Sequence, residues 1–138
     1  MSAETIRAVG GGRLDECAFK GAAGASGGAA ILWDNRKWAL TGQSVGSFSV
    51  SVLLTCRNSR WKWTCSCVYG PHESLWAELT AACMRWGAPW LVMGDFNVTR
   101  FIEDRNHPGP TTPAMTSFSN WIDGEALVDI PITNHEFT

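Results

Sequence analysis

The chain has 138 residues, enough for one domain with a real core, and a composition of 45% hydrophobic and 17% charged residues excludes a disordered polymer. A formal charge of −2 and a pI near 5.9 provide no overall field to hold a polyanion, so any nucleic-acid contact has to be local and salt-sensitive. The opening MSAETIRAVGGGR lacks the apolar core of a signal peptide, and no run approaches the ~18 apolar residues of a membrane span; the expectation is an intracellular protein, nuclear or cytoplasmic, neither secreted nor membrane-inserted.

Residues 8 to 28 are rich in Gly and Ala and read as a loop feeding the apolar strand AAILW. Gly21, Gly24 and Gly27 are spaced GxxGxxG, which is either a phosphate cradle or plain turn geometry. No GK[ST] follows, and the next element reads as a strand rather than a helix. From Ser47 the chain alternates. Phe48, Val50, Val52 and Leu54 share one face and Ser47, Ser49 and Ser51 the other, the period-two mark of a half-buried strand. The turn RNSR reverses direction, and WKWTCSCVYG returns with Trp61, Trp63, Cys65, Cys67 and Tyr69 on one face. Arg57, Arg60 and Lys62 beside Trp61 give the hairpin tip a basic and aromatic mixture. It suits either a nucleic-acid backbone or a solvated tip whose charges block strand aggregation.

HESLWAELTAACMRW sets Leu75, Trp76, Leu79, Ala82, Cys83 and Trp86 at helical spacing, with Gly87 and Pro89 ending the helix. The nearly continuous apolar run in PWLVMGD marks a central strand covered on both faces. After the irregular polar stretch RFIEDRNHPGPTTP, Thr112 caps a second helix with Pro113 in its first turn and Met115, Phe118 and Ile122 along its buried side. Gly124 closes or kinks it, and ALVDIPI reads as one more strand. The eight Trp residues imply core layers or interfaces. Five cysteines, an odd number without a CxxC pair, imply reduced thiols acting as small core hydrophobes. With no repeat and no long linker, this order indicates a single α/β domain over 1–138 with a mixed sheet.

Chemistry in such sheets gathers beyond the carboxyl ends of central strands. Asp95 and Asn97 in GDFN sit at one such end, and Tyr69, before Gly70 and Pro71, at another. A carboxylate, an amide and a phenol suit phosphate-ester hydrolysis: the carboxylate holds Mg²⁺ or orients water, and the others hydrogen-bond the charged transition state. GDFN is equally the composition of a turn.

The motifs SGGAAILWD, VYGP, WLVMGDFN and FSNWIDGEALVDIPITNHEFT, preceded by AETIR, occur in an order that resembles the endonuclease/exonuclease/phosphatase (DNase-I-like) superfamily, most of all the endonuclease region of plant LINE-type (non-LTR) retrotransposons. The resemblance runs nearly from end to end. It implies a DNase-I-like four-layer sandwich of mixed β-sheets flanked by helices, here incomplete, with Mg²⁺, or Mn²⁺ in its place, as cofactor and DNA as partner. It further implies that Glu4, at a strand end, and Asp95 hold the metal, that Asp95 orients or deprotonates the attacking water, and that Tyr69 and Asn97 contact the scissile phosphate. Three departures bear on activity: Ala3 stands where the family has Gln, a first strand bearing a metal-binding Asn should precede Glu4, and a terminal Ser-Asp-His element has no counterpart up to Thr138. His72, His107 and His135 lie in the wrong contexts to substitute. The expectation is a phosphodiesterase fragment with little or no nuclease activity. The alternatives are a non-catalytic remnant or interaction module, and a phosphatase of the same superfamily.

Overall fold

The computed structural model describes residues 1–22, 27–70 and 73–131, and the chain forms two compact units, Met1–Phe96 and Asn97–Thr138. The first unit is a mixed α/β stack of four layers. Helix α1 (Ala3–Gly10) leans on Leu32 of a two-stranded antiparallel sheet, β1 (Glu16–Lys20) with β2 (Ala29–Trp33). That sheet packs on a four-stranded sheet ordered β3 (Trp38–Val45), β4 (Ser49–Cys56), β5 (Lys62–Tyr69) and β6 (Trp90–Asp95). Helix α2 (Glu73–Trp86) covers the far side. The β3–β4–β5 meander is antiparallel and β6 joins β5 in parallel, the connection that a helical crossover permits.

Alternation decides what each face of β4 meets. Val50, Val52 and Leu54 point with Cys65 toward Ala18, Ala29, Ile31 and Trp33 of the small sheet, and Trp38, Trp63 and Cys67 close that core. On the other face Ser49, Ser51, Thr64, Ser66 and Val68 lie beneath α2, whose Leu75 and Leu79 are wholly buried, each contributing about 2 kcal/mol of transfer free energy. The period-two pattern suggested a half-buried β4. The strand is instead buried on both faces, because α2 covers the serine side and the serines satisfy one another. Ser51 Oγ and Ser66 Oγ are 2.7 Å apart, and the Trp90 indole N–H donates to Ser66 Oγ at 2.9 Å.

Several other expectations change. The Gly/Ala-rich start holds the end of α1 and all of β1, and β3 is an additional strand; none of the three shows a clean apolar period. Ser2 starts α1 by accepting the Thr5 N–H at 3.1 Å, and Gly11 ends it in the left-handed region at φ 59°. Strand β6 is an edge rather than a central strand, pairing on one side only among the described residues. Its exposure increases toward Asp95. Its continuous apolar run reflects parallel pairing with β5 and the indole contact of Trp90, not cover on two faces.

In the second unit, α3 (Pro113–Gly124) begins as read: Thr112 Oγ1 accepts the Met115 N–H at 3.3 Å, with Pro113 in the first turn. Its buried stripe is Met115, Phe118 and Trp121, with Ile122 only partly covered; Phe118 and Trp121 stack at 6.3 Å. Residues 126–131 of the expected ALVDIPI strand pair with nothing as a strand, and Val128 is 86% exposed. Ile132 lies outside the described residues, as do Gly24 of the GxxGxxG spacing, His72, His135 and the terminal FT.

No disulfide joins any of the five cysteines among the described residues. Burial pushes the Cys65 thiol up to about 12, whereas hydrogen bonds from Ser59 and the Asn58 backbone hold the Cys56 thiol below its ordinary value. At pH 8 a thiol reagent should therefore modify Cys56 well before Cys65, read by mass spectrometry of time-quenched peptides. The same burial sets a sign for stability. Cys65 keeps its proton in the folded state after the unfolded chain has lost it, so its contribution is intact below the unfolded value of 9.0 and declines as pH rises toward about 12.

Candidate functional site

The two strands that run parallel end together. In the β5–β6 register Val68 faces Gly94 and Tyr69 faces Asp95, so the phenol and the carboxylate leave neighbouring positions at the carboxyl ends of both strands. The backbone under them is fixed from both sides. The Tyr69 N–H donates to Phe48 O at 3.1 Å and the Gly70 N–H to Asp95 O at 2.9 Å. Asp95 is exposed and Tyr69 is 37% exposed, so neither residue is sealed in the core.

Two glycines and an aromatic stack shape this rim. Gly94 has φ 127°, and a Cβ there would lie 2.2 Å from Val68 O and 2.7 Å from Val68 N; only glycine lets β6 come this close as it turns out toward Asp95. Gly27 lies flat against the Tyr69 ring, where a Cβ would sit 2.7 Å from Cζ and 3.0 Å from both Cε atoms. Immediately after Asp95, Phe96 stacks on Trp76 of α2 with centroids 6.2 Å apart and planes 22° apart, tying the strand end to the helix. Gly27 and Gly94 were visible in the sequence only as loop and turn formers. Their contacts are long-range and leave no local signal.

Glu4 is not at a strand end: it is exposed in the first turn of α1, where a carboxylate is favoured by the unpaired N–H groups and the helix dipole. Asn97 opens the second unit at φ 50°, a left-handed conformation that asparagine tolerates better than most residues. Among the described residues no three His, Cys, Asp or Glu side chains gather as a metal cage. Mg²⁺ does not require one. It takes hard oxygen donors, commonly one or two carboxylates, with water and substrate phosphate completing the shell, and an exposed strand-end carboxylate such as Asp95 is a donor of that kind.

No family model matches the sequence, and no curated protein matches it. Among solved structures, the human Nocturnin catalytic domain with bound sulfate anion is similar to 67% of this chain, at 16% identity and a TM-score of 0.48. This chain spans 38% of that one. No described helix is long and apolar enough to cross a membrane.

Proposed function

We propose that the chain is part of a metal-dependent phosphodiesterase domain of the DNase-I-like type, acting on DNA in the manner of a LINE-type endonuclease inside the cell. The observation that supports this most is the register that puts Tyr69 beside Asp95 at the open ends of two parallel strands, which joins the two motifs on which the sequence resemblance rests. In this reading Asp95 accepts a hydrogen bond from water and takes its proton as the oxygen attacks phosphorus. Tyr69 and Asn97 donate hydrogen bonds to non-bridging phosphate oxygens, on which negative charge grows in the transition state. Asp95 would hold Mg²⁺ or Mn²⁺, which when bound polarises the phosphoryl group and offsets that charge.

The test has two readouts. Trp76 stacks on Phe96, next in the chain to Asp95, so Mg²⁺ binding should change tryptophan emission in a saturable way that Asp95→Ala abolishes. Asp95→Ala should lower plasmid nicking by roughly 10² or more. The place of Glu4 on an exposed helix rather than at a strand end favours a second reading, a non-catalytic remnant. A protein with neither a metal-dependent emission change nor nicking at any Mg²⁺ or Mn²⁺ concentration would establish that reading instead. Release of inorganic phosphate from monoesters without nicking would point to the phosphatase branch.

A further inference from the structure

The opposite end of β5 carries a second constellation, separated from Tyr69 by the length of the strand, roughly 25 Å. Trp61, just before β5, is 54% exposed. Its ring lies nearly parallel to that of Trp63, with centroids 6.4 Å apart and planes 22° apart, and tilts against Trp38 at 5.5 Å. Trp38 and Trp63 in turn pack on the core, so the exposed indole is backed by two anchored rings. The turn that carries it is held by its own bonds. The Cys56 N–H donates to Trp61 O at 2.8 Å, the Trp61 N–H to Ser59 Oγ at 3.2 Å, and the Arg57 N–H to Lys37 O at 2.9 Å. The Arg57 guanidinium donates to Asn35 Oδ1 at 2.5 Å and to the Asn35 carbonyl.

The charge at this tip is positive in a chain whose net charge is negative. Lys37, Arg57, Arg60 and Lys62 are all exposed. The neighbouring carboxylates are engaged: Asp34 pairs with Arg36 at 2.8 Å, and Asp15 accepts the Asn35 N–H at 2.8 Å. A rigid π-face ringed by cations is complementary to an unstacked base with its phosphates. The turn offers only Asn58, Ser59 and Arg60 beside the indole, with no aliphatic side chain to insert into lipid.

We propose that the β4–β5 tip is a binding site for single-stranded nucleic acid, in which a base stacks on Trp61 and the flanking phosphates meet Lys37, Arg57, Arg60 and Lys62. This site is independent of the Tyr69 and Asp95 reading and needs no metal. Fluorescence anisotropy of a labelled oligo(dT) in EDTA tests it. The intact protein should bind, with a log–log salt slope of about −2 to −3 if all four cations meet phosphates. Trp61→Ala should weaken binding roughly tenfold or more while Trp61→Phe retains most of it, and removing both Arg60 and Lys62 should flatten the slope by about 1.4. Asp95→Ala should bind like the parent, so a failed hydrolase reading leaves this one standing. Trp61 is largely exposed, and an unchanged melting temperature checks that its variants fold. Absence of binding at low salt, equal binding by Trp61→Ala, or Trp61-dependent binding to phosphatidylserine vesicles but not to oligo(dT) would overturn the proposal.

Discussion

Replacing Gly94 by Ala should cost about 3 kcal/mol or more, a large part of the 5–15 kcal/mol that holds a domain of this size together. Two terms add. At φ 127° an L-residue is strained by about 1–3 kcal/mol. Beyond that, the methyl group would meet Val68 O at 2.2 Å and Val68 N at 2.7 Å. These are backbone atoms of the neighbouring strand and cannot swing aside as a flexible side chain does. The β5–β6 pair has to separate locally, and it separates where Tyr69 and Asp95 emerge. Gly70→Ala is the matched control. Its φ is 110°, but among the described residues no atom lies within 4 Å of a Cβ there, so only the strain term applies. Urea unfolding of the two variants separates the terms. A Gly94→Ala protein no less stable than Gly70→Ala would mean that the strands do not approach as described.

The second large effect is expected at Glu78. This α2 carboxylate reaches across to the β3–β4 turn, where Oε2 accepts the Ser47 N–H at 2.8 Å. Its Oε1 accepts the Phe48 N–H at 3.2 Å and the Ser49 hydroxyl at 2.5 Å. Ser49 is buried, so removing its acceptor strands a hydroxyl without water to replace it. Glu78→Ala should therefore cost about 2–3 kcal/mol. Glu78→Gln should cost less than Ala but more than nothing: one amide oxygen can serve one edge of the turn, and its NH₂ group then faces a backbone N–H at the other. The ordering Ala worse than Gln worse than parent, read as midpoints of urea unfolding, is the signature of a carboxylate clamp. Equal effects of Gln and Ala would indicate that charge matters more than shape.

What the sequence made legible was local. The alternation in WKWTCSCVY, the i, i+3, i+4 spacing of Leu75, Leu79 and Ala82, and the Thr112–Pro113 start of α3 are each written within a few residues, and each is found in the structure. What stayed hidden depends on partners far along the chain. Ser49, Ser51 and Ser66 look like a solvent face until α2 is laid over them. Trp90 to Asp95 looks central, but among the described residues it pairs on one side only. In the N-terminal stretch, glycine and alanine carry too little side-chain contrast to mark α1 or β1. For the candidate site, the order of motifs pointed to Tyr69 and Asp95 separately. Their shared register, and the close approaches of Gly27 and Gly94, needed coordinates. Glu4 shows the converse, a residue matched by motif that the structure places on a helix.

The strand order also implies a sequence of assembly. Strands β3, β4 and β5 are chain neighbours joined by short turns and can zip together with little loop entropy, whereas β6 docks only after α2 has folded back across the sheet. The Tyr69–Asp95 rim is thus the last part of the sheet to be secured and, lying at its edge, the first to fray. Any ligand that grips both strands there would act as a fastener, holding closed the seam that this topology leaves weakest.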